Sequence, residues 1–144
     1  MFRKLMATSP VWMTVPVRLG LGVILAAHGA QKALGYFSGP GLAKFTSFPA
    51  PFPFMRPAWL WMGAAAFAEL IGGIMVIVGL LTRIGAFLLF CTMLTAVVGV
   101  HWPHFFMPAG FEYALALLAM SLALLISGGG MASIDLALSR GRRR

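Results

Sequence analysis

The sequence predicts an all-α, polytopic membrane protein: a bundle of four transmembrane helices with an outer loop rich in aromatic residues and proline. Hydrophobic residues make up 60% of the 144 positions and charged residues only 10%, whereas soluble domains average roughly 25% charged residues. The hydrophobic residues also form four runs, most of them near the ~20 residues that a helix needs to cross a bilayer. These spans and one longer loop use most of the chain, so we expect a single domain, residues 1–144, and no soluble catalytic domain.

Most of the predicted spans are separated by short turns. The first two, about Val15–Leu34 and Ala58–Leu81, are the clearest, because their apolar runs are long. The third covers about Ile84–Val100. The fourth is short if it begins at Tyr113 and reaches a full span if it begins at Gly110. The predicted spans are therefore about 15–34, 58–81, 84–100 and 110–127, followed by a basic tail at 139–144.

Residues 36–57 form the long connection, between the first and second spans. Prolines and glycines recur in it together with Phe45, Phe48, Phe52 and Phe54. Proline interrupts a helix, so this segment cannot be a regular span, and its aromatic rings suit the headgroup boundary. We expect a cap on the outer face of the bundle.

Positive charge is distributed unevenly between the two predicted sides of the membrane. Eight of the eleven basic residues fall on the side of the chain termini and three on the other side. By the positive-inside rule both termini are cytoplasmic, and the protein is a multi-pass protein of the inner or plasma membrane. The basic tail suits anionic lipid headgroups, and no basic stripe with interleaved polar groups indicates nucleic acid. The two sides hold, respectively, Arg3, Lys4, Arg18, Arg83, Arg140, Arg142, Arg143 and Arg144, and Lys32, Lys44 and Arg56.

Glu69 is an acid near the middle of the second span. A charge at the centre of a spanning helix costs about 2.5 to 3.5 kcal/mol on insertion scales, so it should face a partner or water. One interpretation is structural: the carboxyl is protonated, or hydrogen-bonds across the bundle and holds helices together. The other is functional: the carboxyl handles protons or binds a ligand.

Further polar residues are expected near the outer end of the bundle. His28, Gln31 and Lys32 share one face of the first span, because they lie three and four residues apart. His101 ends the third span and Glu112 opens the fourth. Lys32 could instead extend to the interface and His28 bond a carbonyl. Two histidines could also hold haem or a metal, but we expect no metal site. The candidate ligand or proton site is His28, Gln31, Lys32, Glu69, His101 and Glu112.

At the opposite, inner side, Arg18, Arg83 and Asp135 are candidates for a structural ion pair that ties the helices to the tail. A structural role is favoured there, and Arg83 also suits a topology anchor. No nucleophile elbow, zinc-protease helix or dinucleotide fingerprint occurs in the sequence. The single cysteine excludes an internal disulfide. We therefore assign no catalytic residue.

A series of short motifs follows the predicted spans along the chain. In order these are Arg18, His28-Gly29-Ala30-Gln31-Lys32, Phe67-Ala68-Glu69-Leu70-Ile71-Gly72-Gly73, Gly79-Leu80-Leu81-Thr82-Arg83, His101, Phe111-Glu112-Tyr113-Ala114 and Ser133-Ile134-Asp135. Together they resemble the DoxX family of small membrane proteins, over about Val17–Leu138. The resemblance implies a four-helix inner-membrane protein with relatives linked to quinone reduction, membrane oxidoreductase complexes and thiol stress. It also implies that the charged and histidine positions of these motifs carry the family pattern.

Three hypotheses for function follow. In the first, the chain is a subunit of a membrane redox or thiol-stress system that binds a lipid-soluble redox molecule such as a quinone, while a partner supplies other redox groups. Glu69 and one of the histidines would exchange its protons. In the second, it is a non-enzymatic assembly or anchoring subunit. In the third, it is a small transporter or proton channel, for which four short helices leave little room without oligomerisation. The expected partners are the lipid bilayer and either oxidoreductase subunits or further copies of this chain.

Overall fold

The computed structural model describes Thr8, residues 10–106, Pro108 and residues 110–141. These residues form helices and no strand, which confirms the predicted all-α class. Arg3, Lys4, Arg142, Arg143 and Arg144, which the topology prediction uses, lie outside the described residues. The helices are α1 (Thr14–Leu34), α2 (Gly41–Thr46), α3 (Ala58–Val78), α4 (Thr82–Thr95, continued by a π-helical segment, Ala96–His101), α5 (Glu112–Ser127) and α6 (Ile134–Gly141).

In the part of the chain that the structure describes, two helices are long and apolar enough to cross a membrane: α3, and α4 with its π-helical segment. Only 28% of the most apolar stretch of each is buried within the protein, and large hydrophobic side chains of both helices are exposed. Phe67, Ile71 and Ile74 of α3 are examples of such exposed residues. This surface suits lipid. The helix α5 is apolar but shorter, and α1 carries Arg18 and Lys32, so the crossing of these two helices stays a prediction.

The helix ends agree with the predicted spans to within a few residues. Glycine ends both 21-residue helices: Gly35 after α1 and Gly79 after α3 have φ of 75° and 69°. Glycine adopts this left-handed conformation without strain from a Cβ atom. The helix α3 therefore ends at Val78, three residues before the predicted end of the second span. The helix α5 begins at Glu112, between the two starts considered for the fourth span.

Small residues let α1, α3 and α4 approach closely. Gly29 of α1 lies directly against the backbone of Leu70, and a Cβ on Gly73 of α3 would come within 2.6 Å of the nitrogen of Ala26. Further along, a Cβ on Gly72 would lie 3.1 Å from the carbonyl oxygen of Gly85. Such contacts allow van der Waals packing of helix backbones in lipid. The buried core between the helices consists of Leu21, Leu25, Val76, Ala86, Leu89, Met93, Leu117 and Leu124.

The bundle has two different ends. The termini end holds the start of α1, the α3–α4 turn and α6, and the loop end holds residues 36–57, 102–106, 110 and 111. At the loop end, residues 36–57 cover part of the bundle, as expected for a cap. Their short helix α2 packs on α1 and α3, and Pro51 and Phe52 lie so close to Gly99 that a Cβ there would come within 2.8 Å of either. The segment thus reaches from α1 to the π-helical end of α4.

Candidate functional site

Lys32 and Glu69 form an ion pair between α1 and α3. The Nζ atom of Lys32 lies 2.6 Å from each carboxylate oxygen of Glu69. The Glu69 side chain is 4% exposed and that of Lys32 25% exposed. A cation beside the carboxylate offsets part of the cost of burying it. Lys32 therefore extends inward to an acid rather than outward to the interface.

The close packing of α1 and α3 brings the pair together. Lys32 lies in the last turn of α1 and Glu69 near the middle of α3, one residue from Leu70, on which Gly29 packs. The ring centroid of Phe45, from α2, lies 5.4 Å from the Nζ atom. An aromatic face at this distance attracts a cation. The ammonium thus has Glu69 and an aromatic ring as neighbours.

A cavity of about 380 Å³ lies on one side of the ion pair, where α3 and α4 diverge toward the loop end. Its wall is mostly apolar, and the polar side chains in it besides the pair are Cys91, Thr92 and Thr95 of α4. The two threonine hydroxyls donate to carbonyls of their own helix, at 2.9 Å to Leu89 and 3.0 Å to Cys91. Strong polar groups are thus concentrated at the ion pair.

The larger cavity opens sideways, between the outward faces of α3 and α4. Its rim includes Trp61, Ala64 and Cys91, all of which are exposed. Residues of the loop end, including Phe45 and Met55, also line this cavity. Since α3 and α4 are the two helices that meet the criteria for membrane spans, a lateral opening between them would face lipid.

A second cavity, of about 130 Å³, lies on the other side of the ion pair. It is lined by residues of α1, α3, α4 and α5 and has Lys32 and Glu69 in its wall, as the larger cavity does. His28, His101 and Tyr113 also line it, and the rings of His28 and Tyr113 lie 6.5 Å apart. The structure thus brings four of the six candidate residues to one cavity: His28, Lys32, Glu69 and His101.

The other two candidate residues lie elsewhere. The side-chain amide of Gln31 donates to the carbonyl oxygen of Phe37 at 3.4 Å, and so helps to hold the start of the loop. Glu112 is the first residue of α5, and its backbone N–H donates to Phe105. Neither residue lines these two cavities. Among the described residues, no three side chains of the types His, Cys, Asp and Glu cluster as a metal site would require.

At the termini end, Arg18 binds backbone carbonyls. It is 2% exposed and donates to five carbonyl oxygens. Two belong to the last turn of α3, where carbonyls lack partners within the helix, and three to the segment before α6. A cation at this position also interacts favourably with the negative end of the α3 helix dipole. The five acceptors are Val76, Ile77, Gly129, Met131 and Ala132.

Asp135 has the complementary role at the start of α4. Its carboxylate accepts from the backbone N–H groups of Leu81 and Thr82, at 2.7 and 2.9 Å, and from the Thr82 hydroxyl at 2.8 Å. Arg83 donates to the carbonyl oxygen of Ile126 near the end of α5, at 2.8 Å. The hydrogen bonds of Arg18 and Asp135 thus go to groups at helix ends rather than to each other. Together they connect α1, α3, α4 and α6.

Residues of the larger cavity other than the ion pair were not among the sequence-based candidates. Cys91, Thr92 and Thr95 fall on one face of α4, and that spacing is the one signal that could have indicated them. Alanines and aromatic residues in the wall, such as Ala68 and Trp61, carry no signal in an apolar sequence. A cavity in a membrane bundle is defined by where helices diverge, which no local pattern encodes.

Comparison with known proteins gives two matches. The sequence profile of the DoxX family matches residues 13–102. A Bacillus subtilis (strain 168) protein named "Putative oxidoreductase CatD" is 30% identical over 137 residues, which cover 90% of each chain. No solved structure matches the chain with significance.

Proposed function

The chain belongs to the membrane-associated DoxX family, and on that premise we propose that it is an integral membrane subunit that binds a lipid-soluble redox molecule, such as a quinone, in the larger cavity. The observation that carries this proposal is the ion pair of Lys32 and Glu69 in the wall of a laterally open, apolar cavity. The name of the Bacillus relative indicates the same class of chemistry.

The size and lining of the larger cavity fit such a ligand. Ligand pockets measure roughly 300 to 1,000 Å³ and combine apolar walls with a few polar groups, and this cavity has about 380 Å³. An aromatic ring system can lie against Phe45 and Trp61. A hydrophobic tail can leave through the lateral opening. A ligand that partitions into lipid would thus enter without crossing water.

The ion pair supplies the polar end of the site. An ammonium group has three N–H donors; two can serve the oxygens of Glu69, which leaves one for a ligand carbonyl. Glu69 keeps further lone pairs and can accept or return a proton. Thr92 and Thr95 retain acceptor capacity, since their hydroxyls donate within α4. The chain's own residues thus bind, orient and exchange protons.

A quinone would supply the redox chemistry, because it accepts two electrons and two protons to become a quinol. The chain carries no recognisable motif for flavin, haem or an iron–sulfur cluster. We therefore propose that the electrons come from a partner oxidoreductase subunit in the same inner or plasma membrane, with both termini of this chain in the cytoplasm.

A second candidate function is an assembly or anchoring subunit. The loop end favours it, because aromatic side chains there are strongly exposed: Phe54 is 73% exposed and Phe106 75%. In that case the ion pair holds α1 to α3 and no ligand enters the cavity. The two functions predict different consequences for the same substitutions.

Quinone binding to the purified protein in lipid nanodiscs tests the proposal. A fully substituted short-chain benzoquinone is titrated while tryptophan fluorescence is followed, because Trp61 lines the cavity. We expect saturable quenching that Trp61→Phe reduces. Ala68→Phe fills the cavity and should abolish the saturable part, whereas Ile71→Phe, on the exposed face of the same helix, should leave it unchanged.

Glu69→Gln separates the two functions. We expect it to weaken quinone binding by about tenfold, equivalent to roughly 1.4 kcal/mol, while the protein stays folded. An assembly subunit would show a lower complex yield for Glu69→Gln and no saturable quenching in any variant. Equal quenching of Ala68→Phe and wild type would place the quinone elsewhere and contradict the proposal.

A further inference from the structure

The ion pair separates two cavities of different character. Lys32 and Glu69 line both, and so does Ala96, at the first position of the π-helical segment. The larger cavity holds apolar and aromatic residues and opens between α3 and α4. The smaller is lined by residues of four helices, and His28, His101 and Tyr113 are among them. A carboxylate that borders two cavities can exchange protons with a different molecule in each of them.

The smaller cavity has the properties of a water site. Its volume is about 130 Å³, and a water molecule takes up roughly 30 Å³ in the liquid, so several can fit. A buried water also needs two to four polar partners. His28, His101, Lys32 and Glu69 are all in the wall. Apolar cavities of this size stay dry, whereas this one has four ionisable side chains in a partly apolar wall.

The polar residues extend toward the loop end. The buried part of the smaller cavity is lined by Leu25, Met93 and Leu117, which are 1%, 5% and 3% exposed. Tyr113, at the start of α5, is 43% exposed, and His101 is the last residue of the π-helical segment. Titratable and hydroxyl groups therefore lead from the inner wall to the surface.

We infer that the smaller cavity is a water-filled proton route that connects Glu69 with the loop end of the bundle, with His28 and His101 as its relay groups. A proton from water in the cavity would add to the Glu69 carboxylate, and Glu69 would pass it to a ligand on its other side, returning to the carboxylate. No electron moves in this step. The inference rests on the proposed function for its purpose, but the route itself can be tested without a quinone.

The groups that face Glu69 set what the route can do. Lys32 and His28 come from α1, His101 from the end of α4 and Tyr113 from α5. Lys32 is the closest of these groups, with its Nζ atom 2.6 Å from the Glu69 carboxylate. A proton on the route would therefore reach Glu69 beside this ammonium group, with the two histidines in the same wall.

Accessibility of single cysteines tests whether the smaller cavity contains water. In a Cys91→Ser background, Ala114→Cys places a thiol in its wall, since Ala114 lines it. Ala116→Cys is the matched control, because Ala116 is exposed on the outside of the same helix. In lipid nanodiscs we expect a small, charged methanethiosulfonate reagent to modify the first thiol about tenfold faster than the second, since thiols in lipid rarely ionise. Equal rates, or a faster reaction at 116, would overturn the inference.

Hydrogen exchange of the Lys32 ammonium group tests the connection to the ion pair. In ¹⁵N-lysine-labelled protein we expect exchange with water to be slowed about tenfold by Ala114→Leu, which fills the smaller cavity, and unchanged by Ala116→Leu. Lys44 is exposed and serves as the internal reference. If Ala68→Phe in the larger cavity slows the exchange instead, water arrives from the other side and the inference fails. Should Ala114→Leu not fold, the cysteine pair decides.

The outcomes also distinguish this inference from the proposed function. Without a quinone site, saturable quenching is absent while the Ala114 and Ala116 variants still differ. Without a water route, quenching persists while these two variants behave alike. The relay role of His28 has its own readout: His28→Leu should slow the exchange of the Lys32 ammonium group with water.

Discussion

Lys32 and Glu69 meet across two helices although 37 residues separate them in the chain, with the lysine Nζ atom 2.6 Å from both carboxylate oxygens. The two side chains are not equally buried, since 25% of the lysine side chain and 4% of the glutamate side chain are exposed. The cost of losing either partner should therefore be unequal.

Removal of Lys32 should destabilise the protein more than removal of the charge of Glu69. Lys32→Met leaves a buried carboxylate without its cation, and breaking such a pair costs about 3 to 5 kcal/mol. Glu69→Gln leaves an ammonium that can move its flexible stem toward water, at a cost of about 1 to 2 kcal/mol. Thermal unfolding in detergent should rank the variants in this order. The double variant should lose less stability than the sum of the losses of the two single variants. The reverse order would contradict the unequal burial.

The two glycines Gly29 and Gly20 of α1 should respond differently to alanine. At Gly29 a methyl group overlaps the backbone of Leu70, whereas at Gly20 it meets only a methionine side chain at 3.5 Å. Overpacking costs about 1 to 3 kcal/mol, while alanine gains up to about 1 kcal/mol over glycine in a helix. We expect Gly29→Ala to lower the unfolding midpoint and Gly20→Ala to leave it equal or higher. Similar shifts would argue against the close α1–α3 contact.

Arg18→Lys should not preserve the termini end. The guanidinium group reaches five carbonyl oxygens in two segments, and a single ammonium with three donors cannot satisfy them all. We expect a loss of about 2 to 4 kcal/mol in stability, from unpaired buried groups. Arg140→Lys, at an exposed position of α6, is the control and should be neutral. Chemical unfolding followed by circular dichroism measures both.

Cys91 should be protected by a bound quinone. The thiol lines the larger cavity, so a fully substituted benzoquinone, which cannot add a thiol at a free ring position, should cover it. We expect labelling by N-ethylmaleimide to slow by about fivefold near saturation, because only the protein without bound quinone would react. A thiol at position 74, made by Ile74→Cys in a Cys91→Ser protein, faces away from the cavity and should react at an unchanged rate. Unprotected Cys91 would place the ligand elsewhere.

The predicted topology has its own test. A fluorescent protein that folds only in the cytosol, fused after residue 144, should fluoresce, because the basic residues are concentrated on the side of the termini. The same reporter inserted after Ser47, an exposed residue of the loop end, should be dark. Fluorescence of the second fusion alone would reverse the orientation.

The sequence allowed a good prediction of helices and a partial prediction of the site. The first span was expected at Val15–Leu34 and α1 is Thr14–Leu34, because apolar runs and glycine ends are local features. The sequence also indicates His28 and Glu69 as candidate site residues, because a titratable group in an apolar run is costly. The structure places both at one cavity, but whether they act on a ligand stays a prediction.

Long-range geometry was harder to anticipate. The pairing of Lys32 with Glu69 depends on how α1 and α3 rotate against each other, which glycine contacts between the helices decide. The sequence suggests Asp135 as an ion-pair partner, whereas in the structure its carboxylate accepts hydrogen bonds from backbone N–H groups at the start of α4. The change from α-helix to π-helix at Ala96, which shapes both cavities, has no recognisable local signal.

The ion pair also has an electrical consequence. Because Lys32 and Glu69 together carry no net charge, a voltage across the membrane does almost no work on the closed pair. A proton taken up by Glu69 leaves the lysine as a single uncompensated charge, and a whole charge that crosses the membrane is worth about 2.3 kcal/mol per 100 mV. Because Glu69 lies near the middle of α3, a proton that reaches it would cross only part of the membrane potential. If the proposed proton route operates, the membrane potential would act on the arrival of the proton and hardly at all on the resting ion pair.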